Sequence, residues 1–216
     1  MELFIPGPEG QLEALFHEPR GLPEGAPPRA IAVVCHPHPA HGGNMNSTVT
    51  FKTARGLQNA GLACLRINFR GVGASEGAYH GEGGEQGDAR AALDWLQAKY
   101  PGAPVWAAGF SFGSRTVFGL AKRDAQIERL VLVGFPAKAY PLEGVDQLAR
   151  PAYFIWGDQD EYGTLGDLRS QYPQLPDNFE FTELPGADHF FKRSTKELEQ
   201  HVHAYAKRSL EAAPRS

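Results

Sequence analysis

The sequence predicts an α/β protein: a mostly parallel, twisted sheet of about eight strands with helices on both faces and an antiparallel N-terminal hairpin at one edge. Three observations carry that prediction. Short, continuously apolar runs recur along the chain, as expected of strands buried on both faces. Segments with apolar residues at helical spacing separate them. Strands alternating with helices are joined most simply by crossovers into a parallel sheet.

Taken in order, Leu3 to Pro6 and Gln11 to His17 alternate polar and apolar residues around the turn Gly7 to Gly10, and read as a hairpin. The Pro/Gly stretch Gly21 to Pro28 then separates this pair from the rest. Ala30 to Cys35 is the first fully apolar strand, followed by a helix over about Asn46 to Ala60 that Gly61 closes. Leu62 to Ile67 is the next strand. Ala89, Ala92, Leu93 and Leu96 repeat at i, i+3, i+4 and i+7, in a helix stopped by Pro101-Gly102. Val105 to Phe110 predicts a strand and Phe112 to Ala121 a helix. Leu130 to Val133, Ala152 to Trp156 and Phe179 to Leu184 complete the strands. Ser194 to Glu197 has the pattern of a capping box, opening a last helix with Leu198, Val202 and Ala206 on one face.

The 216 residues (23.5 kDa) suit one domain over 1–216, since a chain of this length can bury roughly 70% of its unfolded surface in a single core. A net charge of −4 argues against a nucleic-acid partner. No apolar run has the length of a membrane span, and the N-terminus MELFIPGPEGQ has neither region of a signal peptide. A cytoplasmic location is expected. Cys35 and Cys64 lie in apolar strands and read as reduced core thiols in preference to a disulfide. Oligomeric state is not readable; an outer sheet edge could pair in a homodimer. The 25 Gly and 17 Pro have no collagen-like period and announce many turns.

The chemistry centres on Gly109-Phe110-Ser111-Phe112-Gly113, set between a predicted strand and a predicted helix. With eight serines and 25 glycines, about 0.1 chance occurrences of GxSxG are expected, so the motif is informative. A tight strand-to-helix turn forces the serine into a strained conformation, and glycines on both flanks relieve the crowding. The serine then sits at a helix N-terminus, where developing negative charge is favoured. A serine hydroxyl needs a base, and the base an orienting group. Downstream, Asp158, Asp160 and Glu161 follow one strand and His189 follows the last. The order Ser, acid, His is that of one known hydrolase arrangement.

These features resemble the α/β-hydrolases. More narrowly, the chain is similar to a small, lid-less bacterial group of hydrolases related to dienelactone hydrolases. The resemblance rests on His36-Pro37-His38-Pro39 with Gly42-Gly43, Met45 and Asn46, on Arg66 to Gly77, and on Gly84-Glu85 with Asp88, and it runs from about residue 30 to 205. Dienelactone hydrolases carry a cysteine where this chain has Ser111, so their substrate does not transfer. The resemblance implies Asp160 as the acid, third after the strand-ending Gly157, and His189 as the base. It implies an oxyanion hole formed by the backbone N–H of Phe112 and one from the loop after the third strand. Prolines have no N–H, which leaves His38 in that loop.

Competing readings are weaker. His36, His38 and His41 cluster, but proline-stiffened alternate positions are not obviously convergent and no acidic residue adjoins them, so no metal is expected. Gly71 to Gly77 misplaces the third glycine of a dinucleotide loop and opens no helix. Asn68 and Arg70 in this region read as braces in preference to substrate contacts, Asp188 as a turn residue, and His201 and His203 as surface residues. No cofactor is expected. Only 15 residues, Pro136 to Arg150, occupy the place where a lid is commonly inserted. The open site suggests small acyl groups, with Met45, Phe110, Tyr140 and Phe190 as substrate-lining candidates and Phe112 and Phe191 as further aromatics for wall or core. The expected activity is a serine carboxylesterase acting on a small ester; a serine peptidase or thioesterase, or a non-catalytic binding protein on the same fold, are the alternatives.

Overall fold

The computed structural model describes residues 1–81, 83–140, 143–145 and 147–212. The N-terminal hairpin is β1 (Glu2–Gly7) and β2 (Gly10–His17), with Gly7 paired to Gly10 across a tight turn. There follow β3 (Ala30–Cys35), α1 (Thr48–Asn59), β4 (Leu62–Ile67), α2 (Glu85–Lys99), β5 (Val105–Phe110), α3 (Phe112–Ala121) and β6 (Ile127–Val133). β7 (Ala152–Gly157), α4 (Leu165–Gln171), β8 (Phe179–Leu184) and α5 (Thr195–Ala212) follow, and a short 3-10 turn (Pro39–His41) lies between β3 and α1. The eight strands form one sheet in the order β1-β2-β4-β3-β5-β6-β7-β8. β1–β2 and β2–β4 are antiparallel, and the other neighbours are parallel.

The continuous apolar runs are explained by two cores, one on each face. Along β3, Ile31, Val33 and Cys35 pack with Ala89, Leu93 and Leu96 of α2 and Val117 and Phe118 of α3. Ala30, Ala32 and Val34 face the other way, toward Val49 and Leu57 of α1 and Leu198, Val202 and Tyr205 of α5. Burying a Leu or Val side chain contributes about 1.5–3 kcal/mol, so β3 is fixed from both sides. β2 buries Leu12, Ala14 and Phe16 toward the first core only, which is why its sequence alternates and that of β3 does not. Cys35 and Cys64 are buried free thiols on opposite faces.

Helix ends follow local chemistry. The Ser47 hydroxyl caps α1 by accepting from the Thr50 N–H at 3.3 Å. The capping box expected at Ser194 is replaced: the described bonds include none from its side chain, and its carbonyl accepts from the Leu198 N–H at 2.9 Å. Arg193, at φ 67°, and the bond from the Ser194 N–H to the Phe191 carbonyl set the approach to α5 instead. A full capping box occurs at α4, between Thr164 and Asp167. That short helix falls in a stretch to which the sequence pattern assigned no element.

Strand order reverses at β3: the chain passes from β3 to β4 on one side, then to β5 on the other. The crevice at such a reversal, beyond the carboxyl ends of the strands, is where open α/β sheets bind ligands. Here it lies between the loop after Cys35 and the turn after Phe110. No inserted lid covers it; among the described residues of 136–150 there is neither helix nor strand.

Candidate active site

Ser111 forms the turn between β5 and α3 with φ 53° and ψ −117°, outside the backbone regions that L-residues favour. The surroundings hold it there. Its N–H donates to the Val133 carbonyl at 2.9 Å, and its carbonyl accepts from the Ser114 N–H at 3.0 Å and the Ser114 hydroxyl at 2.6 Å. A Cβ at Gly113 would collide with the carbonyl oxygens of Cys35 and His36, and one at Gly109 with the backbone of Gly113. The flanking glycines are therefore required by close backbone approach, as the motif predicted.

The hydroxyl of Ser111 lies 3.0 Å from His189 Nε2, and His189 Nδ1 lies 2.8 Å from Asp160 Oδ2. His189 and Asp160 are 3% and 2% exposed. The second oxygen of Asp160 accepts from the Tyr162 N–H at 2.8 Å, so both carboxylate oxygens are held. This separates the three downstream acids. Asp158 turns away to accept from the Gly186 N–H at 2.7 Å, bracing the turn after β8, and Glu161 is exposed. The His189 ring is packed among Tyr162, Phe110 and Phe190, with centroids 4.5, 5.0 and 5.3 Å away. Its loop carries a second strained residue, Phe191, at φ 52°. Asp188 accepts from the Lys192 N–H at 3.0 Å, a turn role as expected.

Ser111 and His189 open into a cavity of about 640 Å³, largely apolar, whose walls include Val49, Phe110, Phe112, Tyr140, Tyr162 and Phe190. His38 and Phe112 line it as well. Among the described bonds, neither of their backbone N–H groups has a protein acceptor. For Phe112, first residue of α3, that is the ordinary state of a helix N-terminal amide. The His38 ring is fixed by the Ala40 N–H donating to Nδ1 at 3.2 Å and by Tyr79 Oη, 3.2 Å from Nε2.

One lining expectation is corrected. Met45 is 1% exposed and does not line the cavity. Its N–H donates to Asn68 Oδ1 at 2.8 Å and its carbonyl accepts from Arg66, which pins the side chain beneath the loop. Phe191, open between wall and core in the sequence, is fully buried in the core around α1 and α5. Tyr162 and Val49 line the cavity but are not singled out by the sequence, and His41, weighed there only as a metal ligand, lines it too; the position of Tyr162, two residues after Asp160, is the one available signal.

The remaining motif residues are braces. Asn68 also donates to Glu13 at 2.7 Å, and Arg70 engages Asp88, Glu9 and the Gly84 carbonyl. His201 sits 4.0 Å from Glu197 on the outer face of α5. His36 is buried, with Nδ1 donating to the Pro37 carbonyl at 2.6 Å and Nε2 accepting from the Phe69 N–H at 3.1 Å, so neither nitrogen faces His38 or His41 as a shared ligand.

Burial pushes the His36 imidazole down to about 4, against the bond to Pro37, which favours charge. Protonation would put a hydrogen on Nε2 against the Phe69 N–H. The unfolded chain binds this proton at ordinary histidine values, so the stability gained by keeping His36 neutral is fully present above pH 6.5 and is lost as pH falls toward 4. It amounts to about 3 kcal/mol. Denaturation midpoints measured between pH 7 and 4 should fall for the parent, and the fall should be shallower in His36→Gln. Some slope will persist there, because His17, lowered to about 4 by burial and Arg66, acts with the same sign. Parallel profiles would refute the assignment.

Comparison with known proteins agrees with this fold. Residues 30–213 match the model of an alpha/beta hydrolase domain family. An uncharacterized protein of Rickettsia prowazekii (strain Madrid E) is 32% identical over 213 residues, covering 94% of this chain and 87% of its own. An alpha-beta serine hydrolase homologue from Coxiella burnetii superposes with a TM-score of 0.86 at 34% identity, over 95% of this chain and 96% of that one. A serine hydrolase without a lid from Xanthomonas campestris gives a TM-score of 0.87 at 32% identity, over 99% and 96%. No helix among the described residues is long and apolar enough to cross a membrane.

Proposed function

The chain belongs to the alpha/beta hydrolase family and is a hydrolase, and from that premise we propose that it is a serine carboxylesterase acting on small or short-chain acyl esters. The observation that carries the reading is the continuous line from Ser111 Oγ through His189 to Asp160, at 3.0 and 2.8 Å, opening into an apolar cavity. Such a line performs acyl transfer with the nucleophile, base and orienting acid the chain itself supplies. No cofactor is part of the proposal.

His189 Nε2 takes the proton of Ser111 as the oxygen attacks the ester carbonyl. The Nδ1–H of His189 donates to Asp160, which fixes the tautomer and stabilises the imidazolium. The carbonyl oxygen becomes an oxyanion, bound by the N–H groups of Phe112 and His38. Collapse breaks the ester C–O bond; the alcohol leaves with the proton from His189, and the acyl group stays on Ser111. Water, losing a proton to His189, attacks the acyl-enzyme and releases the acid.

The uncovered cavity of about 640 Å³ suits a short acyl chain better than a long lipid chain, which would leave apolar surface in water. A panel of p-nitrophenyl butyrate, p-nitrophenyl palmitate, a butyryl thioester and an aminoacyl anilide tests this. The butyrate ester is expected to exceed each of the others at least tenfold in kcat/KM. A thioester or anilide at the head of the series would move the protein to thioesterase or peptidase. No turnover of any member would favour a binding protein.

A further inference from the structure

Phe112 and Tyr140, which line the acyl cavity, also line a second cleft of about 580 Å³ that does not include Ser111. The two spaces are chemically opposite. The second is polar, with Glu85, Gln86, Arg115, Thr116, Lys122 and Arg123 among its walls.

Glu85 is the first residue of α2 and only 1% exposed, and its Oε2 is buried with no hydrogen-bond partner among the described residues. The helix N-terminus favours its charge but does not fill that lone pair, and a buried acceptor left unpaired is costly. Arg115, exposed on α3, stacks its guanidinium 4.1 Å over the Tyr140 ring and has no carboxylate partner among the described residues. One lining group thus lacks a donor, while another holds planar N–H donors at the wall shared with the acyl cavity.

This mixture selects a ligand class. A simple anion would meet Glu85, and a simple cation would meet Arg115, Lys122 and Arg123. Hydroxyl groups donate and accept together, so a neutral polyhydroxylated molecule satisfies both. We propose that the cleft seats the alcohol portion of the substrate, and that the preferred substrate is an ester of a short apolar acid with a polyhydroxylated alcohol, a sugar or polyol. The inference rests on the serine-esterase reading and specifies its leaving group. Hydrolysis consumes one water and breaks the ester C–O bond; the polyol leaves with the proton from His189, and the short acid follows from Ser111.

Two esters with the same acyl group isolate the cleft: ethyl butyrate and 6-O-butyryl glucose, assayed with the parent, Glu85→Gln and Arg115→Gln. The parent should favour the sugar ester at least tenfold in kcat/KM. Loss of a hydrogen bond to a charged group is expected to shrink that preference about tenfold in each variant, chiefly through KM. Arg115 is exposed, so its variant gives the answer even if Glu85→Gln does not fold. Equal kcat/KM for the two esters in the parent, or a preference left undiminished in Arg115→Gln, overturns the proposal while leaving the esterase intact. Turnover of neither ester, with no labelling by a fluorophosphonate, removes the esterase reading and this inference with it.

Discussion

Replacing Ser111 by alanine is expected to lower turnover of p-nitrophenyl butyrate by about 10⁴-fold or more and to abolish labelling by a fluorophosphonate. The loss should be this large because removing a nucleophile leaves only the binding and oxyanion contributions. The fold should survive. The one side-chain contact described for the Ser111 hydroxyl is the bond to His189, while the bonds that shape the turn run through its backbone, to Val133 and from Ser114. Alanine at φ 53° meets steric strain similar to that of serine, so the thermal midpoint should stay within a few degrees of the parent. A folded Ser111→Ala protein that still labels or turns over the ester would sink the assignment of the nucleophile.

The serine was legible because its signal is local. Five consecutive residues encode the turn, and the demand for two glycines arises from contacts that any such turn must make with the preceding strand and with the loop after β3. The strands were legible for a related reason: burial on both faces leaves little room for a polar residue in β3 or β5. Choosing among Asp158, Asp160 and Glu161 is different in kind. All three follow β7 within four residues, and residue type does not separate them; the family resemblance points to Asp160 by its spacing from Gly157, and the direction of each side chain in three dimensions gives one to His189 and another to Gly186. Met45 fails for the same reason, since a place in a motif does not say whether a side chain points into a cavity or under the loop that forms it. The seven-residue α4 buries Leu168 alone and has too little apolar periodicity to register. The polar cleft was invisible too, because Glu85, Arg115 and Tyr140 meet only once α2, α3 and the loop after β6 are packed.

Asp160→Asn is the second large effect expected, a fall in turnover of about 10⁴-fold with the fold retained. The side chain is nearly isosteric, and its carbonyl oxygen can still accept from the Tyr162 N–H that Asp160 holds at 2.8 Å. What changes is the partner offered to His189. A carboxylate oxygen accepts from Nδ1–H and leaves Nε2 bare to receive the Ser111 proton. An amide NH₂ in its place donates to Nδ1, which drives the ring hydrogen to Nε2, where it blocks proton transfer from Ser111. Asp160 and the Nδ1 side of His189 are buried, so no other side chain described there can take over the role. The fluorophosphonate labelling rate should therefore fall in parallel with turnover, since both need the same proton transfer. Asp158→Asn should instead cost little in turnover and act on stability, because its carboxylate faces the Gly186 N–H and not the imidazole. If Asp160→Asn lost less than tenfold while Asp158→Asn lost activity by several orders, the acid would belong to Asp158, and the side-chain directions described at the end of β7 would have to be exchanged.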